Sequence, residues 1–145
     1  MPETAPRVTT RTELASGWGR ALVFVYGVFA VAATGRSLVQ LGTDADRAPL
    51  AYALSLLAAV LYLVATTCLV LGGPRARSVA LAAVSVELVG VLGVGALSYA
   101  APELFPDRTV WSHFGQGYGF LPLVLPFAGL AWLRSRSSAR ARRSR

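Results

Sequence analysis

The chain has few charged and few reactive side chains. Its 145 residues include one cysteine and one histidine, only 14% are charged, 54% are hydrophobic, and the mean hydropathy is +0.54. The single cysteine, Cys68, allows no internal disulfide, no CxxC redox pair and no cysteine-rich zinc site, so we interpret it as core packing. A composition this apolar excludes a water-soluble single domain and predicts a membrane protein.

Lysine is absent, so all 14 basic residues are arginines, and the formal net charge is +7. Six of these arginines lie in the last twelve residues, 134–145, and removing their six charges from +7 leaves the rest of the chain at +1. The Ser/Ala/Arg composition predicts a disordered, solvated cytoplasmic tail, which is also compatible with attraction to anionic lipid headgroups. No aromatic residues alternate with the arginines, so we do not expect nucleic-acid binding.

Four apolar stretches of about 20 residues each occupy most of the chain. They predict an all-α membrane protein in which a disordered cytoplasmic N-terminus, 1–17, precedes a four-helix transmembrane bundle, 18–133, with spans at about 18–41, 50–71, 79–100 and 110–133. The second span is the clearest, because 50–71 contains no charge and measures about 33 Å as a helix, close to the hydrocarbon thickness. The fourth contains Gly115, Gly117, Gly119, Pro122 and Pro126, so it should be kinked or begin with a looser turn.

The first apolar stretch permits a second interpretation. The segment from Ala21 to Val31 has the character of a signal-peptide core, with a cleavage site at 30–32. The apolar character continues through Leu41 and no polar region precedes the site, which favours a retained helix. Cleavage would change the mass of the protein but not the orientation of the other spans.

Arginine counting predicts the orientation. With both termini in the cytoplasm, eleven arginines lie inside, and three lie outside, at Arg36, Arg47 and Arg108. Tryptophans and tyrosines near the ends of the predicted spans agree with this arrangement. We therefore expect a multi-pass protein with both termini inside.

One carboxylate, Glu87, lies near the middle of a predicted span. A charged group there costs about 2.5–3.5 kcal/mol on insertion scales, so another interaction must offset it. Glu87 is either a proton or cation site on a transport path or a structural contact between helices, and small residues on its helical face indicate that this face is buried. Its candidate partner is Arg36, which shares a face of the first span with Gln40. Arg36 either reaches Glu87 or extends to the outer interface.

A second polar cluster is expected on the extracellular side, in and after the loop between the third and fourth spans: Glu103, Asp107, Arg108, His113, Gln116 and Tyr118. One histidine with scattered carboxylates is a weak metal site, so we predict neither a metal nor a cofactor. No Ser or Cys stands at a spacing from His113 that is typical of a nucleophile and its base, so we do not predict nucleophilic catalysis. We interpret these residues as capping and hydrogen-bonding the loop. The nearby glycines do not form a nucleotide loop, because Phe120 occupies the place of the third glycine.

Six segments together carry a resemblance to a known family: 35–40, 48–52, 102–107, 110–112, 117–120 and 122–126. In these segments the chain resembles a family of small, uncharacterised four-helix integral membrane proteins common in actinobacteria. The resemblance implies a bacterial plasma membrane location and transfers no catalytic residue. The chain is also loosely similar to small multidrug transporters, which have one membrane carboxylate, but theirs lies in the first helix and Glu87 lies in the third.

These observations predict a non-enzymatic accessory or structural membrane subunit, in which Glu87 and Arg36 are intramembrane polar contacts. Its expected partners are the lipid bilayer and either a second copy or an unidentified membrane protein. The alternative is a proton-coupled small-solute transporter or channel subunit that uses Glu87. An enzyme is not expected, because no nucleophile–base pair, metal cluster or cofactor motif is visible.

Overall fold

A computed structural model describes residues 11–144, and side chains are described from residue 17 onward. This part of the chain is helical and contains no strand, which confirms the all-α prediction. It consists of four α-helices and two short 3-10 segments, in the order α1 (Arg11–Thr43), α2 (Pro49–Leu71), α3 (Gly73–Ala100), the 3-10 segments Pro102–Leu104 and Ser112–Tyr118, and α4 (Leu121–Arg143).

The junction between α2 and α3 is shorter than the sequence predicted. α2 ends at Leu71 and, after Gly72, α3 already begins at Gly73, rather than near residue 79. Gly72 and Gly73 have φ values of 66° and 89°, which glycine adopts without steric cost, so the chain reverses within two residues. Pro74 follows in the first turn of α3. Proline is tolerated there, because the backbone N–H groups of the first turn have no partner within the helix.

The helices pack in chain order. α1 lies against α2, α2 against α3, and α3 against both α4 and the 3-10 segment Ser112–Tyr118, whereas the contact between α1 and α4 is small. The buried face of α2 is rich in alanine, at Ala51, Ala58, Ala59 and Ala65. Small side chains let neighbouring helices approach closely, which is the usual basis of helix packing in membranes.

Three helices are long and apolar enough to cross a membrane: Gly17–Thr43 within α1, α2 and α3. A fourth crossing requires the 3-10 segment Ser112–Tyr118 and α4 to be counted as one broken span. Large apolar side chains point outward from these helices, and Phe24 and Val89 are 71% and 72% exposed. Such a surface is typical of a protein that lies in a membrane.

The fourth predicted span, 110–133, is not one continuous helix. The 3-10 segment Ser112–Tyr118 meets α4 at an angle of 99°, so the expected kink or looser start is confirmed. Gly119 and Phe120 have positive φ values immediately before α4, which begins at Leu121. The apolar part of α4, 121–133, measures about 20 Å as a helix and is shorter than the hydrocarbon layer.

Both ends of the described chain are more helical than predicted. α1 begins at Arg11, inside the segment predicted to be disordered, and α4 continues to Arg143, through most of the tail predicted to be disordered. Alanine and arginine are good helix formers, and Arg77 of α3 donates to the Leu133 carbonyl and to the Ser137 hydroxyl. The prediction for residues 1–10 and for residue 145 lies outside the described residues.

Candidate functional site

Glu87 is buried in the middle of α3, with 1% of its surface exposed. Its Oε2 accepts a hydrogen bond of 3.0 Å from the hydroxyl of Tyr26, on α1. Its Oε1 is buried and has no hydrogen-bond partner among the described residues. The contact of Glu87 with another helix is therefore made through Tyr26, a residue that the sequence analysis did not single out.

Aromatic side chains surround this carboxylate. The ring of Tyr26 lies 6.1 Å from the ring of Tyr62, on α2. The Tyr62 hydroxyl in turn accepts a bond of 3.3 Å from Nε1 of Trp111, in the loop before α4. We call Tyr26, Tyr62, Glu87 and Trp111 the interior cluster. It connects α1, α2, α3 and the loop through two buried hydrogen bonds and one ring contact.

Two glycines make room for the interior cluster. A Cβ atom at Gly90 of α3 would lie 2.6 Å from the Trp111 ring, and one at Gly129 of α4 would lie 3.1 Å from the Tyr26 hydroxyl. Trp111 therefore packs directly on the backbone of α3, one turn from Glu87. This packing agrees with the expectation that the Glu87 face of this helix is buried.

Arg36 does not contact Glu87. Its Nη1 donates to the Tyr118 hydroxyl at 2.7 Å, and its Nη2 donates to the Arg108 carbonyl at 2.5 Å. Arg36 therefore turns toward the loop before α4 rather than toward Glu87, and its extension to the outer membrane interface stays a prediction. Gln40, one turn further along α1, has a buried Oε1 with no hydrogen-bond partner among the described residues.

A polar cavity of about 270 Å³ opens beside Arg36, at the end of the helices opposite to the arginine-rich C-terminus. We call it the loop cavity. The side chains that line it are two arginines, one histidine and four uncharged polar groups: Arg36, Arg108, His113, Thr109, Ser112, Gln116 and Tyr118. The structure thus brings together five of the predicted polar residues, Arg36, Arg108, His113, Gln116 and Tyr118.

Reciprocal hydrogen bonds shape the loop that carries the cavity. The backbone N–H of Thr109 donates to Ser112 Oγ at 2.9 Å, and the N–H groups of Trp111 and Ser112 each donate to Thr109 Oγ1 at 3.0 Å. Side-chain to backbone bonds of this kind stabilise a turn where no helix or sheet supplies partners. They hold the loop in place between the interior cluster and the cavity.

The backbone between these bonds and α4 is left-handed. His113, Phe114 and Gly115 have φ values of 53°, 59° and 79°. For the two non-glycine residues this conformation is unfavourable and persists only where the surroundings enforce it. Here the rings of His113 and Phe114 both pack on Tyr99 of α3, with centroid distances of 4.7 and 6.1 Å.

The two loop carboxylates lie outside the cavity. Asp107 accepts a bond of 2.5 Å from the Tyr52 hydroxyl and forms a salt bridge of 3.5 Å with Arg47, so it joins the loop to α2 and to the preceding connection. Glu103 is exposed in the 3-10 segment Pro102–Leu104. The polar cluster predicted from the sequence is therefore divided between two places.

Within residues 17–144, no group of three or more His, Cys, Asp and Glu side chains is placed to hold a metal ion. Comparisons of the chain with protein-family models, with curated proteins and with solved structures found no match.

Proposed function

We propose that this chain is a multi-pass integral membrane protein with a non-enzymatic accessory or structural role. The observation that carries the proposal is the buried bond between Glu87 Oε2 and the Tyr26 hydroxyl. It uses the one carboxylate of the apolar spans to join α3 to α1. Arg36 likewise uses two N–H groups to join α1 to the loop before α4. Both polar residues that stood out in the apolar sequence are thus engaged in contacts between elements.

The proposed arrangement is a four-helix transmembrane bundle in a bacterial plasma membrane, with the broken fourth span counted as one crossing and both termini in the cytoplasm. The eleven-to-three distribution of arginines supports this orientation. The exposed arginines near the end of α4 then face the headgroups of the inner leaflet, where each contributes about 1 kcal/mol of attraction to anionic lipids.

The outward apolar side chains face either lipid or another membrane protein. An accessory subunit uses such a surface to hold a second copy or a larger partner. Purification in a mild detergent tests this role, because a stable partner or a defined oligomer should elute together with the chain. A chain that elutes only as a monomer, and that captures no membrane protein after cross-linking in the native membrane, would contradict the accessory role.

A second function is favoured by one specific observation, the buried Oε1 of Glu87 that lacks a hydrogen-bond partner in the described residues. An unsatisfied oxygen inside a span is a candidate proton or cation site, as in a proton-coupled transporter or channel subunit. The decay of an imposed pH gradient in proteoliposomes separates the two functions. The accessory role predicts the same decay for the wild type, for Glu87→Gln and for protein-free vesicles. A fast decay in the wild type that disappears in Glu87→Gln would establish transport.

A further inference from the structure

The loop cavity concentrates positive charge without a balancing carboxylate. Arg36 and Arg108 both line it, and none of its lining residues within 17–144 is acidic. The one salt bridge found among the described side chains joins Arg47 to Asp107, so it neutralises neither of these arginines. Two cations that line one cavity repel each other, and an anion that binds between them removes this repulsion.

Arg36 is already oriented to receive such an anion. A guanidinium has five N–H donors in a rigid plane, and two of them are used by the Tyr118 hydroxyl and the Arg108 carbonyl. Those two acceptors are uncharged, so they fix the plane of the guanidinium without cancelling its charge. The donors that remain can bind an anion without first ordering the side chain, which lowers the entropic cost of binding.

The other lining groups surround the same space from the loop side. Gln116 and Ser112 supply an amide and a hydroxyl, and His113 is held in its left-handed conformation by the contact with Tyr99. Backbone strain of this kind occurs preferentially at ligand-binding loops. The donors of the cavity therefore come from α1, from the loop and from the 3-10 segment Ser112–Tyr118, that is, from several directions.

Size and donor geometry indicate the ligand. A volume of about 270 Å³ lies just below the range of about 300–1,000 Å³ that is typical of pockets for drug-sized molecules, so the cavity fits one small group. Arginine binds carboxylate and phosphate with two parallel N–H donors, and donors from several directions suit the tetrahedral phosphate better than the planar carboxylate. Phosphate is also the anion found at the headgroup level of a bilayer, which is where the proposed membrane arrangement puts the ends of the helices.

We propose that the loop cavity binds a phosphate group, supplied either by the headgroup of a phospholipid in the adjacent leaflet or by a small soluble phosphate. The guanidinium groups of Arg36 and Arg108 neutralise its charge, and Ser112 and Gln116 donate to its oxygens. This binding site goes beyond the proposed accessory role and does not depend on it.

Two probes test the proposal and separate the sources. Inorganic phosphate is titrated calorimetrically into the protein in an uncharged maltoside detergent, at an ionic strength held constant with chloride. Phosphatidylglycerol, compared with an uncharged glycosyl diacylglycerol, is measured by native mass spectrometry. The main variant is Arg108→Gln, because the Arg108 side chain makes no hydrogen bond to any residue in the part of the chain that the structure describes. The matched control is Arg75→Gln, which removes one exposed arginine at the opposite end of the helices.

The wild type should bind at least one of the two probes saturably. Arg108→Gln should bind that probe at least tenfold more weakly, Arg108→Lys should recover part of the loss, and Arg75→Gln should match the wild type. Binding of inorganic phosphate identifies a soluble ligand, and binding of phosphatidylglycerol alone identifies a lipid headgroup. The proposal is overturned if neither probe binds, or if Arg75→Gln weakens binding as much as Arg108→Gln. Arg36→Gln, checked for an intact unfolding transition, should repeat the loss.

Discussion

The buried bond between Tyr26 and Glu87 predicts a specific pattern of energetic coupling. The two substitutions Tyr26→Phe and Glu87→Ala, made singly and together, form a double-mutant cycle that isolates the interaction of the two side chains. Tyr26→Phe removes only the hydroxyl, so the ring contact of 6.1 Å with Tyr62 is retained. The free energy of unfolding is measured in detergent micelles by titration with a denaturing detergent.

The expected coupling is about 0.6–1.7 kcal/mol, from the average to the maximum found for hydrogen bonds between membrane helices in such cycles. Its sign is stabilising, because Glu87 Oε1 already lacks a partner and loss of the Tyr26 hydroxyl leaves Oε2 unpaired as well. Tyr99→Phe is the matched control, since the Tyr99 side chain is 61% exposed and should lose less than about 0.5 kcal/mol.

A second cycle, between Arg36→Ala and Glu87→Ala, makes the result decisive. Arg36 contacts Tyr118 and the Arg108 carbonyl, so its coupling to Glu87 should stay within about 0.5 kcal/mol of zero. A coupling above about 1 kcal/mol between Arg36 and Glu87, together with none between Tyr26 and Glu87, would refute this account of how α1 and α3 are joined.

Two further predictions concern packing and orientation. Gly90→Ala should destabilise the fold by about 1–3 kcal/mol in the same unfolding assay, because the added Cβ would lie 2.6 Å from the Trp111 ring. Gly93→Ala on the same helix has nothing within 4 Å of its Cβ and should be neutral or stabilising, and equal losses at both positions would contradict the packing of Trp111 on α3. For the orientation, Asp46→Cys and Ser138→Cys are made in a background without Cys68. Asp46→Cys should react with a membrane-impermeant maleimide in intact cells, whereas Ser138→Cys should react only after lysis. The reverse pattern would overturn the proposed orientation.

The sequence predicted the helical class because the signals involved are local. A long run without charge, such as 50–71, indicates where a helix lies, and the Gly/Pro turn at 72–74 indicates where it stops. Neither indication depends on the neighbouring helices. The glycines and prolines of 110–133 also predicted that this segment would not be a straight helix. The angle of 99° and the left-handed conformation of His113 were not predictable, because both depend on tertiary contacts. A non-glycine residue becomes left-handed only where its surroundings enforce it, here the contact of His113 with the Tyr99 ring of α3.

The partner of Glu87 was not predicted from the sequence. Opposite charge suggested Arg36, yet the partner is the hydroxyl of Tyr26, an aromatic residue within an apolar run. The sequence indicated this partner only by placing a tyrosine, an aromatic residue with a hydroxyl group, in the middle of a predicted span. That indication is weak, because buried tyrosines often serve packing alone. The helical C-terminal end was missed for a similar reason, since the contact of Arg77 with Leu133 and Ser137 lies 56 and 60 residues apart in sequence.

By itself, therefore, the sequence determined that the chain is helical, apolar enough for a membrane, and marked by the carboxylate of Glu87 and the guanidinium of Arg36 within its spans. These properties depend on composition and on contacts a few residues apart. Only the tertiary structure decided that Glu87 meets Tyr26, that Arg36 turns to the loop, and that Arg36 and Arg108 share a cavity. The physical reason is that side-chain packing between distant segments, such as Trp111 on Gly90, sets how each helix is rotated about its axis and offset along its neighbour. Local sequence patterns do not determine this rotation or this offset.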